Sequence, residues 1–278
     1  MDIDGHTGLI AHIGYPTHTF KSPMIYNPYF EAAGINVVVV PMGCRSEHFP
    51  ALLRSFFALE NAAGALITMP HKVTTVGLLE EASVAVKVAG SCNAVRRGAG
   101  GRLVGEIFDG EGFVRGVRRK GLQLAGARAL VVGSGGVGCA IAASLAGAGV
   151  GTLALFDANT SSAQALADRL RLHYPVLRVL VGSRDPQGFD LVVNATPLGM
   201  SASDPLPLEV ERLSPETLVA EVVMKAEMTP LLEAARNKGC AVQVGTDMLF
   251  EQIPAYLEFF GLPVTSADRL RAGARLAY

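Results

Sequence analysis

An apolar run, Ala65-Leu66-Ile67, ends abruptly in Thr68-Met69-Pro70-His71-Lys72. Pro70 has no N–H to give to a sheet ladder, so the strand finishes near Thr68. The lysine then projects from the end of the sheet to which that strand belongs. An amine in such a place moves a proton when burial or a neighbouring charge tunes it. A different chemistry is written at Val131-Val132-Gly133-Ser134-Gly135-Gly136-Val137-Gly138, which follows a strand and opens an alanine-rich helix. The first glycine of such a turn permits the bend, the second lets backbone approach a pyrophosphate, and the third lets helix meet strand. The helix N–H groups then face the phosphates. Asp157 ends the next strand, where an acid accepts from both hydroxyls of an adenine ribose and repels a 2′-phosphate. Ala158-Asn159-Thr160 supplies no arginine, so NAD is expected over NADP. The competing reading makes Asp157 a cap of the following helix.

The elements that must position these groups fall into two patterns. Strand-like runs "GLIAHIG" (8–14), "INVVVVPMG" (35–43) and "GALITMP" (64–70) are separated by helical ones, 22–34 and 47–61. Ser22, Pro23 and Gly34 supply the first helix with a cap, a first-turn proline and a closing glycine. Strands separated by helices imply parallel pairing and an α/β domain. "RRGAGGR" (96–102) reads as a hairpin tip. From residue 127 onward strands are expected at the start of 127–149 and at 152–159, 177–182, 189–197, 217–224 and 240–245, with helices between. The last segment, from 246, is helical with no strand after it, so it must pack away from the sheet centre.

The chain has 278 residues, half of them apolar, enough for two domains that each bury a core. Its mean hydropathy is +0.34. Twenty-four basic residues against 25 acidic ones give a formal charge of −1, and no basic block suggests a nucleic-acid surface. Cys44, Cys92, Cys139 and Cys240 lack CxxC spacing, the start lacks a signal-peptide pattern, and no apolar stretch is long enough for a membrane span. A cytoplasmic protein without nucleic-acid or membrane partners is expected, as monomer or homodimer.

Five segments together resemble the shikimate/quinate dehydrogenase family. "GALITMPHK" (64–72) is similar to its G-x-N-V-T-x-P-x-K, "GSCNAV" (90–95) to G-A-x-N-T, and "GEIFDGEGF" (105–113) to G-x-N-T-D-G-x-G-F. "VNATPLGM" (193–200) is similar to N-x-T-P-x-G-M, and "GTDMLFEQ" (245–252) to G-x-x-M-L-x-x-Q. The resemblance implies an α/β fold: a substrate domain over 1–106, a Rossmann NAD domain over 107–243, and helices over 244–278 returning to the first domain. It makes Lys72 and Asp109 the catalytic pair. Oxidising a carbinol requires a base for the hydroxyl proton, and a carboxylate orients the amine or shares the proton. Phe20, Ser22, Thr68, Asn93, Met224 and Gln252 fall at substrate-binding positions. Gly133, Gly135, Gly136, Val137, Phe156, Asp157, Ala195, Thr196, Pro197, Met200, Val223, Gly245 and Met248 fall at cofactor positions. His71 has no visible metal partners and is expected to be structural, and no metal is expected.

The chain departs from the family pattern at one end. Against G-x-P-I-x-H-S-x-S-P, "GYPTHTFKSP" (14–23) keeps Ser22 but puts Phe20 where the first serine stands. That serine pair is associated in the family with the ring carboxylate. Ile107-Phe108 replaces Asn-Thr, and Met224-Lys225-Ala226 replaces Y-N-P. The expected function is therefore an NAD-preferring oxidoreductase acting on a cyclic polyol acid, with shikimate itself a poor substrate. The alternative is a non-catalytic NAD-binding sensor or partner protein derived from the family.

Overall fold

The computed structural model describes residues 2–201 and 203–275. They form two compact units, one drawn from 2–86, 90–108 and 253–275, the other from 87–89, 109–201 and 203–252. The first unit begins with β1 (Gly8–Gly14), α1 (Pro23–Ala33), β2 (Val37–Gly43), α2 (Phe49–Phe56), β3 (Ala62–Ile67) and α3 (Lys72–Val76). After them come β4 (Glu81–Ala82), α4 (Val84–Ala89, whose last three residues are grouped with the second unit), β5 (Ala94–Arg97) and β6 (Leu103–Glu106). The sheet order is β2-β1-β3-β5-β6-β4. β2 and β3 run parallel to β1 because a helix makes each return. β5 is antiparallel to both β3 and β6, so this sheet is mixed. The link from β5 to β6 is the expected glycine hairpin, too short for a crossover, and Gly100 and Gly101 take the positive φ it needs. β1 is central and covered on both faces: Ile10, Ala11 and Ile13 are wholly buried.

The second unit runs from α5 (Asp109–Arg119) through β7 (Arg128–Val132), α6 (Gly136–Gly147), β8 (Thr152–Phe156), α7 (Thr160–His173) and β9 (Arg178–Val181). It continues with β10 (Leu191–Asn194), β11 (Leu218–Glu221), α8 (Pro230–Asn237), β12 (Ala241–Gln243) and α9 (Gly245–Glu251). The order β12-β11-β10-β7-β8-β9 is parallel throughout. Strand order reverses between β7 and β10, and ligands of such sheets bind beyond the strand ends at that reversal. Two glycines set α5 in place. A Cβ on Gly110 would collide with the Ala140 carbonyl of α6, and one on Gly112 would lie 2.6 Å from the Met248 carbonyl of α9. These close approaches pin the helix end at which Asp109 stands.

The expected 244–278 tail divides, and residues 276–278 lie outside those described. α9 packs on α5 within the second unit, with ion pairs from Arg119 to Glu251 and from Lys120 to Asp247. α10 (Ile253–Phe259) and α11 (Ala267–Gly273) belong to the first unit. There Phe108 meets Tyr256 edge-on at 4.7 Å and Phe259 at 5.5 Å. Tyr29 donates to the Pro263 carbonyl at 2.7 Å, and the Arg275 N–H donates to the Met24 carbonyl at 2.8 Å. Phe108 accordingly belongs with the first unit, two residues beyond the expected boundary at 106. No helix among the described residues is long and apolar enough to cross a membrane.

Candidate active site

In the first unit, Lys72 opens α3 directly after His71. The His71 ring lies flat on Phe49 at 4.1 Å, is 1% exposed, and its Nε2 sits 2.8 Å from the Cys44 carbonyl. A carbonyl only accepts, so Nε2 carries the proton and donates. His71 is therefore an anchor for the segment that presents Lys72. The Lys72 carbonyl accepts from the Cys92 N–H at 2.9 Å, tying that segment to Asn93.

Asn93 is 2% exposed, and its Oδ1 accepts from the Phe108 N–H at 3.0 Å. That bond decides which way the amide faces. Nδ2 is left as a buried donor with no protein partner among the described residues. A buried amide N–H without a partner is costly, on the order of 1–3 kcal/mol, and a ligand oxygen removes the cost. Thr68 is held through its N–H on the Ile13 carbonyl (2.9 Å) and its carbonyl on the His71 N–H (2.9 Å). The Thr68 methyl and the Phe20 ring converge on Gly14, where any Cβ would strike the first and lie 2.9 Å from the second. Phe20, Thr68, Lys72 and Asn93 thus gather at one end of the sheet. Ser22 does not cap α1: its own backbone is already helical (φ −54°, ψ −45°), so its hydroxyl makes no cap bond. Ile107 and Phe108 are buried, and Phe108 serves the aromatic cluster that holds α10.

Sequence reasoning passed over His12. Its signal was an imidazole inside an otherwise apolar strand, 7% exposed and stacked on Phe20 at 4.0 Å. Burial, reinforced by the positive charge of Lys72, pulls this imidazole from 6.5 down to about 4. The unfolded chain therefore binds the proton more readily below pH 6.5, and stability present above that pH is lost as pH falls towards 4. The loss expected from this group is about 3 kcal/mol. Urea unfolding at pH 7 and at pH 4 should show it in the parent and show less in His12→Leu; equal losses would refute it.

In the second unit, Asp109 begins α5, where a carboxylate is favoured by the helix N-terminus. Gln252 follows α9 and contacts the Gly112 position, with its Oε1 buried and unpartnered among the described residues. Lys72 and Asp109 stand in different units.

The cofactor positions line the strand ends of the second sheet. Gly133 has φ +107°, and a Cβ there would lie 2.8 Å from the Ala195 carbonyl, so the turns after β7 and β10 touch only because it is glycine. A Cβ on Gly138 would run into the Gly133 carbonyl, the close helix–strand approach expected of the third glycine. Gly135 and Gly136, by contrast, face open space beside Val137 at the start of α6. That space and the helix N–H groups fit a pyrophosphate. Asp157 accepts from the Ser134 N–H at 2.6 Å and from the Asn159 N–H at 2.8 Å. Asn159, not Asp157, caps α7 through Ser161, which removes the competing reading. Arg184, also missed, places its guanidinium 5.5 Å from the Phe156 ring centre. Asn194 accepts from both the N–H and the hydroxyl of Thr196 and donates to the Leu198 carbonyl, which shapes the loop of Ala195, Thr196 and Pro197. Val223 is buried against Gly245, where a Cβ would meet the Val223 carbonyl, and Met248 is buried one turn on. Met200 and Met224 are exposed. The residues present suit a nicotinamide dinucleotide. Among the described residues no three His, Cys, Asp or Glu side chains come together as metal ligands.

Residues 12–95 match the family model described as the shikimate dehydrogenase substrate binding domain, and residues 114–167 match the ThiF family model. The shikimate dehydrogenase (NADP(+)) of Rubrobacter xylanophilus is 38% identical over 256 residues, which are 90% of this chain and 89% of that protein. The shikimate 5-dehydrogenase of Listeria monocytogenes, solved with shikimate and NAD, has a TM-score of 0.91 at 25% identity over 98% of each chain. The quinate dehydrogenase of Corynebacterium glutamicum, solved with NAD, has a TM-score of 0.86 at 31% identity, over 96% of this chain and 98% of that one.

Proposed function

We propose, since this chain belongs to the shikimate/quinate dehydrogenase family, that it is an NAD-preferring dehydrogenase of a ring carbinol in a cyclic polyol acid such as shikimate, quinate or a relative. One observation carries the substrate reading: Asn93, fixed by the Phe108 N–H, keeps a buried donor without a protein partner beside the segment that bears Lys72. In this reading Thr68, Asn93 and Gln252 hold ring oxygens, and Ser22 stays at the end associated with the carboxylate. Lys72 takes the hydroxyl proton, and Asp109 orients the amine or shares that proton. The glycine turn, the 195–197 loop and the residues around Gly245 hold the dinucleotide, which when bound accepts the hydride. The first unit serves as substrate domain and the second as cofactor domain.

Asp157 supports NAD, because its carboxylate stands at the ribose end of the turn with both oxygens fixed by backbone N–H groups. The Rubrobacter xylanophilus relative is named for NADP(+), so cofactor choice is where this chain departs from it in our reading. Phe20 and Met224 alter the end at which family members hold a carboxylate. No observation favours the non-catalytic alternative. The deciding experiment is a screen of shikimate, quinate and related ring acids with NAD and with NADP, followed by absorbance of the reduced cofactor. Reduction of NAD by at least one ring acid is expected. Silence across the panel would sink the proposal.

A further inference from the structure

β1 is buried on both faces, so position 12 calls for an apolar side chain. The imidazole found there leaves Nδ1 fully buried with no partner among the described residues. An orphaned buried N–H is rarer and costlier than an under-satisfied acceptor, so the neutral ring keeps its proton on Nε2. The residue keeps 7% exposure, and Nδ1 contributes none of it. Phe20 covers one face of the imidazole at an interplanar angle of 24°, which holds its plane. The pairing of His12 with Leu66 and of Ile13 with Ile67 sets the ring beside the run that leads to Thr68. Thr68 and Phe20 meet over Gly14, and the charge of Lys72 is felt at the imidazole.

We infer that His12 is a specificity-determining residue of the substrate site, a neutral imidazole that donates from Nε2 to an uncharged ring oxygen, the hydroxyl or ketone of the substrate. This role presupposes the oxidoreductase reading above and deepens it. A single neutral N–H beside a phenyl face suits such an oxygen. A carboxylate placed there would keep most of its lone pairs dry, at a large cost.

The test has a spectroscopic arm and a kinetic arm. In protein labelled with 15N-histidine, the imidazole spectrum of free His12 should show the Nε2–H tautomer; an Nδ1–H tautomer overturns the inference. In kinetics with the ring substrate that the parent turns over, His12→Leu should raise KM about three- to tenfold and leave kcat within about twofold, as loss of one neutral hydrogen bond made equally in ground and transition states requires. His12→Gln, which keeps a neutral N–H donor, should recover part of that KM. Thermal unfolding of His12→Leu at pH 7.5 should give a Tm equal to or above the parent, because a buried orphan has been removed. An unchanged KM overturns the inference, and so does a raised KM that comes with a lowered Tm and no rescue by Gln. A parent inactive towards every ring carbinol instead overturns the oxidoreductase reading, and the substrate role of His12 falls with it.

Discussion

Lys72→Ala should lower kcat/KM for the ring substrate by about 10²–10⁴-fold, the range that a positioned general base contributes. The dissociation constant for NAD should stay within about twofold of the parent's, since Lys72 belongs to the first unit and the glycine turn to the second. The backbone of Lys72 needs no repair after the change, because its carbonyl bond to Cys92 and the His71 anchor are independent of the side chain. A fall in kcat with KM nearly constant marks an interaction made at the chemical step. A fall below tenfold removes Lys72 from the mechanism. His71→Ala serves as the contrasting variant: it should lower Tm through loss of the Phe49 stack and the Cys44 bond, without abolishing turnover.

The second large effect concerns the cofactor. The parent should bind NAD at least tenfold more tightly than NADP, by calorimetry, if Asp157 accepts from a ribose hydroxyl and repels a 2′-phosphate as proposed. A hydrogen bond to a charged group contributes roughly 1.5–3 kcal/mol, which is about ten- to a hundredfold. Asp157→Ala should therefore narrow the gap by that factor, from both sides: weaker NAD and tighter NADP. Asp157 also accepts from Ser134 and Asn159, so its removal loosens the turn itself. Asp157→Asn separates the two causes, because it keeps an acceptor and loses the charge. If Asn narrows the gap as much as Ala does, repulsion is the larger part. Equal affinities in the parent, or tighter NADP, would end the assignment.

Much of this molecule is local, and local features are legible in a chain. Pro70 ends a strand wherever that strand is placed, and a glycine-rich run between an apolar strand and an alanine-rich helix makes the same turn in any parallel sheet. Most strand positions followed from apolar runs bounded by Gly and Pro, whereas the two-residue β4 has no such run, and the hairpin tip within 96–102 followed from its glycines. Asp157 at the end of β8 was readable for the same reason, since strand, turn and helix are consecutive.

What the chain by itself determined, then, was which residues reach the sheet ends. What only the tertiary structure decided was which atoms they present there. Asn93 shows Nδ2 because the Phe108 N–H, 15 residues along, claims its Oδ1. Asp157 is spared a capping role because Asn159 takes it, and Ser22 loses its own because its backbone enters the helix too early. The tail divides after residue 252 because Gly112 admits α9 while Phe108 recruits α10. His12 stayed hidden because its one mark in the sequence, an imidazole in an apolar run, does not say what it meets: its partner Phe20 and the charge of Lys72 arrive by folding. Periodicity and turn chemistry act over a few residues, whereas hydrogen-bond partnership and burial depend on neighbours brought from elsewhere in the chain.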